Sequence, residues 1–286
     1  MPDGEEIIHM NETYLEVDGV TVFVRHNNLG AARPTILFIH GLGESGLSFQ
    51  EVFNDQALAG TNLLVPDLAG YGRSSGAADL SLDAHVARLW KTLRAIEQVS
   101  GFTLDKLSVI GHSMGGDIAT LLCDADSEKR IQKLVNIEGD LTEFDVFISN
   151  QAVRAQESGR FSTWFESEFK DELVLGTWGA KYGASCKRYF ASLCFARPEA
   201  FLANAMELYR RNTSGDRESG NDIGRRHVAL ALPRVYCYGT RSIAPETVEF
   251  LHRHNLNSKA FAEAFHWPMI DRAAEFYAFV RDFISE

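Results

Sequence analysis

Short apolar runs and helix-period stretches alternate along most of this chain. Pro34 to Ile39, Leu63 to Asp67, Leu107 to Ile110 and Lys133 to Ile137 are blocks rich in Leu, Ile and Val. Blocks without regular polar alternation fit strands buried on both faces of a sheet. Between them the apolar spacing lengthens. Leu82, Val86, Leu89, Leu93 and Ile96 share one helical face, opened by Ser81 as N-cap and closed by Gly101. Ile118 to Leu122 belongs to another helix, and Ser45 to Leu58 has room for a short one. Near the start, Tyr14 to Val17 and Val20 to Arg25 flank Asp18-Gly19, a favoured two-residue hairpin turn. Later, Arg234 to Gly239 resumes the strand pattern, Ala244 to His254 is helical in spacing, and Lys259 to Phe265 is a weaker strand. Pro268 starts a final helix with Met269, Ala273, Phe276, Val280 and Phe283 on one face.

Strands separated by helices imply βαβ units and a mainly parallel sheet, an α/β fold class. Leu141 to Leu230 breaks the rhythm. It is helical in spacing, rich in aromatics from Phe144 to Tyr209, and lacks convincing strands. It reads as a helical cap, residues 141–230, inserted into a core of residues 1–140 and 231–286. Most cap aromatics are expected to pack on one another, with some left to line a pocket. Polar Asn212 to Arg226 reads as a linker or mobile loop back to the sheet.

Charge and cysteine usage then narrow the partners. A formal net charge of −11 over 286 residues argues against nucleic acid or an anionic membrane as the main partner. The acidic Met1 to Glu6 segment has no apolar secretory core, and no apolar run reaches membrane-spanning length. Cys123, Cys186, Cys194 and Cys237 lie on apolar segments without C-x-x-C spacing and read as free core thiols. The expectation is a cytoplasmic protein whose partner is a small molecule. Its oligomeric state stays open.

One stretch carries chemistry. Ile110-Gly111-His112-Ser113-Met114-Gly115-Gly116 passes from a strand into a helix with Gly two residues either side of Ser113. This is the G-x-S-x-G pattern of a nucleophile elbow. The sharp turn drives Ser113 toward positive φ, and only hydrogen then fits at the flanking glycines. Alone, the motif also describes a glycine-softened turn with an incidental serine.

Three more motifs follow the same order: HGLG at His40 to Gly43, DLAGYGRS at Asp67 to Ser74, and HWP at His266 to Pro268. Together, and over nearly the whole chain, they make the sequence resemble the α/β-hydrolase superfamily. That resemblance implies an eight-stranded sheet, a helical lid between the sixth and seventh strands, and the chain order nucleophile, acid, histidine. Ser113 is then the nucleophile and His266 its base. His40 and His112 read as packing and loop-shaping residues, with His40 a weak pocket contact, and the motifs leave no coherent metal-ligand cluster. The acid departs from the commonest family pattern. The loop after the seventh strand reads Gly239-Thr240-Arg241-Ser242, with Ser242 in the slot where many members carry Asp. Pancreatic-type lipases are among the members that place the acid after the sixth strand, which here puts Glu138 first, Asp140 next and Glu246 third.

The same resemblance assigns the oxyanion hole to the backbone N–H groups of Leu42 and Met114, and makes Gly41 and Trp267 candidate substrate contacts. Asp67 and Arg73 brace the glycine loop. The implied activity is two-step acyl transfer by a carboxylesterase- or lactonase-like serine hydrolase on an apolar small molecule, with no cofactor. Serine at the elbow argues against dehalogenase and epoxide hydrolase members, which use aspartate there. Thioesterase, amidase, carbon–carbon bond hydrolase, acyltransferase and cofactor-free haloperoxidase readings stay open, as does a ligand-binding receptor on the same fold.

Overall fold

The strands of the computed structural model are β1 Asn11–Val17, β2 Val20–His26, β3 Thr35–Ile39, β4 Asn62–Pro66, β5 Leu107–His112, β6 Ile131–Ile137, β7 Arg234–Gly239 and β8 Ser258–Phe261. The structure describes residues 9–215 and 218–286, so the acidic Met1 to Glu6 stretch lies outside the described residues. The strands form one sheet in the order β1-β2-β4-β3-β5-β6-β7-β8. β1 and β2 make the antiparallel hairpin, β2 pairs antiparallel with β4, and every other pairing is parallel. At the hairpin turn Asp18 and Gly19 both have positive φ, 52° and 73°. That is the backbone a right-twisted two-residue turn requires. β3, β4 and β5 are buried at every residue, as their continuous apolar blocks demand.

Helix α1, Leu82–Ser100, begins where Ser81 Oγ accepts the Ala84 N–H and ends at Gly101 with φ 77°. Its five spaced apolar residues are buried. Helix α2, Met114–Asp124, follows β5 after a single residue and is buried along almost its whole length. Ser45 accepts from Leu47 N–H and starts a 3₁₀ helix, Gly46–Asn54. Because the central strands are parallel, their carboxyl ends lie on one edge of the sheet. His40, Asp67, Ser113, Glu138 and His266 each follow a strand at that edge, where ligands of such sheets bind.

Three expectations need correction. Lys259 to Phe265 is strand only as far as Phe261, since Glu263 turns the chain at φ 62°. The final helix is two: Pro268–Asp271 and Ala273–Ser285, broken at Arg272 (φ −134°, ψ 42°). The predicted loop Asn212 to Arg226 contains the start of a helix, Asp222–Ala229, whose N-cap Asn221 accepts the Gly224 N–H. Polar composition hid that helix because only Ile223, Gly224 and His227 face inward. It packs on α2, with Thr120 Oγ1 and His227 Nδ1 3.3 Å apart.

Between β6 and β7 the chain is helical, as expected. The segment Trp164–Trp178 is wound as a π-helix. Its buried residues are Trp164, Phe165, Phe169 and Val174, and the i→i+5 hydrogen bonds of that winding widen the turn. Phe161, Trp164, Phe165, Phe169 and Phe201 form one aromatic cluster, with Trp164 and Phe169 stacked at 4.8 Å and Phe165 and Phe201 also 4.8 Å apart. Phe201 touches the other four rings. Phe201→Ala is expected to cost about 3–5 kcal/mol, the usual loss for emptying a buried aromatic site. Urea unfolding measures it, and a loss below about 1 kcal/mol would mean that the cluster collapses around the gap.

Candidate active site

Ser113 sits between β5 and α2 at φ 52°, ψ −125°. For a non-glycine residue this is a strained conformation, tolerated only where the surroundings enforce it. The surroundings are close. A Cβ on Gly111 would lie 2.0 Å from the Gly115 carbonyl oxygen, and one on Gly115 would lie 2.1 Å from the Ile39 carbonyl oxygen. The Ser113 N–H donates to the Ile137 carbonyl at 2.8 Å, tying the turn to β6. Its hydroxyl does not cap α2 and faces a cavity of about 340 Å³ that His266 and Glu138 also line.

Glu138 follows β6 at φ 48°. Oε2 lies 2.6 Å from His266 Nδ1, while Oε1 accepts the Gly239 N–H at 2.7 Å and the Ser242 hydroxyl at 2.6 Å. An acceptor-only carboxylate requires that Nδ1 carry the proton, which in the neutral ring leaves Nε2 with a lone pair. Burial pulls the His266 pKa down, but the charge and hydrogen bond of Glu138 outweigh it, aided by Glu44, so the net shift is upward. Ser242 is thus not a missing acid. It is a donor that orients the carboxylate arriving from β6.

The other two candidate carboxylates make different contacts. Asp140 lines the cavity, but its Oδ2 accepts from Asn212 Nδ2 at 2.7 Å and its N–H donates to Asp117 at 2.8 Å. Burial first, and the Asp145 charge second, push the Asp140 carboxyl well above the usual range. Burial and Asp140 do the same to Asp117. A carboxyl that resists ionising is a poor partner for an imidazolium. Glu246 lies in the first turn of the helix Pro245–Arg253, away from the cavity wall.

The loop from His40 to Glu44, the candidate oxyanion loop, is held by its own peptide groups. The Gly41 carbonyl accepts from His40 Nδ1 at 2.9 Å and from the Glu44 N–H at 3.2 Å. A trans peptide then directs the Leu42 N–H the opposite way. Tyr189, from the helix Ala184–Leu193, donates its hydroxyl to the Leu42 carbonyl at 3.0 Å. Met114 supplies the first N–H of α2, one of the donors that a helix start leaves without an intrahelical partner. His40 shapes the loop and is not a pocket contact: its Nε2 accepts the Leu68 N–H at 2.9 Å, and burial lowers its pKa. Gly41 lies behind the cavity, where an added Cβ would sit 3.0 Å from Ser113 Cβ. Trp267 does line the cavity.

Asp67 braces the neighbouring loop through main-chain donors, Gly46 N–H at 2.7 Å and Arg73 N–H at 2.8 Å, and through a buried ion pair with Arg25 at 2.8 Å. The Arg73 side chain instead reaches Glu12 and Tyr14 on the hairpin. The cap divides its aromatics: Phe144, Phe147, Trp178, Tyr182 and Tyr189 line the cavity, while the cluster around Phe201 does not. Phe265 stacks on Tyr182 at 3.7 Å. Of the cysteines, Cys123, Cys186 and Cys237 are buried and free, whereas Cys194 is free but exposed, outside the core that its apolar neighbours suggested. Glu44 and Tyr189 also touch this site, outside the residues expected from the motifs. Glu44 three residues after Gly41 was the available signal, since that spacing suits a side chain accepting a nearby N–H.

Comparison with known proteins agrees with this layout. Residues 34–222 match the family described as alpha/beta hydrolase fold. The chain is 29% identical over 106 residues to an epoxide hydrolase of Caballeronia sordidicola, covering 37% of this chain and 30% of that protein. It is 26% identical over 216 residues to a proline iminopeptidase of Lacticaseibacillus rhamnosus, covering 73% of this chain and 69% of that protein. The chain spans only 30%, 37% and 32% of the length of the first three curated relatives it matches. Among solved structures, the enol-lactonase from Burkholderia xenovorans LB400 shares the fold with a TM-score of 0.73 at 17% identity, over 96% of this chain and 100% of that one.

Proposed function

We propose, from the premise that this chain belongs to the α/β-hydrolase fold family, that it is a serine hydrolase cleaving a carboxylic ester or lactone of an apolar small molecule. The observation that carries this reading is the Glu138–His266 pair, 2.6 Å apart, facing the same cavity as a strained Ser113. In the mechanism, His266 Nε2 takes the Ser113 Oγ proton as Oγ attacks the carbonyl carbon. The carbonyl oxygen becomes an oxyanion between the Leu42 and Met114 N–H groups. Collapse breaks the ester C–O bond, and His266 returns the proton to the leaving oxygen. In a lactone that oxygen stays tethered to the acyl group. Water, deprotonated by His266, then attacks the acyl carbon and regenerates Ser113.

The cavity wall supports an apolar, ring-bearing substrate, since Phe144, Trp178, Tyr182 and Phe265 contribute to it. Likeness to an enol-lactonase fits the lactone half of the reading. A cytoplasmic setting belongs to the same reading, supported by four free cysteines.

The test is a panel of aryl esters, alkyl esters and lactones, with quenched reactions examined by mass spectrometry. Hydrolysis with an acyl adduct on the Ser113 peptide is expected. Tight binding without turnover or adduct would replace this reading by a ligand receptor. Product formed only with an added alcohol or amine would make the protein an acyltransferase.

A further inference from the structure

We infer that Glu44 is a positioning residue, which with His112 forms a second glutamate–histidine pair holding the oxyanion peptide and His266 in register. The inference rests on the serine-hydrolase reading. Glu44 is 1% exposed, and its carboxylate reaches three segments of the site. Oε2 accepts the Gly41 N–H at 2.9 Å, on the oxyanion loop. Oε1 accepts the Trp267 Nε1–H at 2.7 Å, one residue after the base. The same Oε1 lies 2.8 Å from His112 Nδ1, one residue before the nucleophile. That last contact is a close approach that lacks hydrogen-bond geometry.

His112 extends the reach of the carboxylate. Its Nε2 faces the His266 carbonyl oxygen at 2.8 Å and must be the donor, because a carbonyl only accepts. His266 is therefore gripped twice from Glu44, through the Trp267 indole and through the His112 ring, whose centroid is 4.6 Å from its own.

The fold alone gives no reason for this carboxylate. Burying a charge costs several kcal/mol unless it is fully paired, and apolar side chains often fill such sites more stably. Burial pushes the Glu44 carboxyl up, but His112, the Gly41 N–H and the Trp267 indole hold it down at about 2. It stays ionised, accepting the Gly41 and Trp267 donors with the His112 ring against Oε1. What the three have in common is the reacting centre: the peptide that presents the Leu42 N–H, the neighbour of the nucleophile and the neighbour of the base.

Glu44→Gln, His112→Gln and the double variant test this against wild type. The readouts are the rate at which a fluorophosphonate labels Ser113, kcat and KM for the best ester of the panel, and the urea midpoint. Misplacement of catalytic groups by an ångström costs about a hundredfold. Glu44→Gln is therefore expected to lower kcat and labelling about 10- to 100-fold with KM within about twofold. His112→Gln is expected to behave alike, and the double variant to lose less than the product of the two. Labelling and kcat within about twofold of wild type in Glu44→Gln would overturn the inference. So would a raised KM at unchanged kcat, which marks a substrate contact, or full additivity in the double variant. If Glu44→Gln does not fold, His112→Gln carries the same thresholds. Failure of fluorophosphonate to label wild type would instead overturn the serine-hydrolase reading, and this inference with it.

Discussion

Ser113→Ala is expected to lower kcat/KM for every ester the protein turns over by about 10⁴- to 10⁶-fold, while leaving the fold intact. The size follows from what is removed. Without Oγ no acyl-enzyme forms, and the remaining rate comes only from substrate binding and oxyanion stabilisation as water attacks the bound ester carbonyl directly. Structural damage is excluded by the local geometry. Alanine occupies the same strained φ of 52° as serine does. The bond from residue 113 N–H to Ile137 is main chain and survives. The hydroxyl caps nothing that the helix would lose. A thermal melt close to wild type is the control. A loss below tenfold, with the variant folded, would remove Ser113 as nucleophile whatever else remained of the site.

Much of this was legible in the residues because steric demands are local. Gly111 and Gly115 are forced by contacts of about 2 Å with carbonyl oxygens, and Asp18-Gly19 by a turn that needs positive φ at both positions. The proposed acid is legible only through strand order. Nothing local in Glu138 distinguishes it from Asp140; the difference lies in which side chain meets His266 and which is absorbed by Asn212 and Asp117. Ser242 looked like a vacancy and is a donor, because its meaning depends on a residue 104 positions away. Glu44 was not read at all. Of its partners, Gly41 lies on the same loop, but His112 at the end of β5 and Trp267 after β8 are brought to it only by the closed sheet. The helix Asp222–Ala229 was missed for the opposite reason. Its apolar face is three residues wide, too few for periodicity to register.

Glu138→Gln is expected to cost about 10⁴-fold in kcat, close to the known effect of such a change in serine proteases. Glutamine keeps the shape and can still accept from Gly239 and Ser242. Its amide group, however, would face His266 Nδ1 as a donor. The imidazole would then move its proton to Nε2, the nitrogen that must take the Ser113 proton. The pH dependence gives an independent sign. His266 works as a base only when neutral, so the acid limb of kcat/KM follows its pKa in the free enzyme. In wild type that pKa is raised, burial being outweighed chiefly by Glu138. Removing the charge leaves burial as the stronger influence, so the limb should move to lower pH while the plateau falls. A limb that stays in place, or a rate near wild type, would exclude Glu138 and turn attention to Asp140. One further variant separates loss of charge from loss of shape. Ser242 Oγ is 2.6 Å from Glu138 Oε1, so a carboxylate at 242 approaches the histidine from the seventh strand. Glu138→Gln with Ser242→Asp should recover at least about tenfold of the lost rate, because the imidazole needs a fixed negative partner at Nδ1 and either strand end can deliver it.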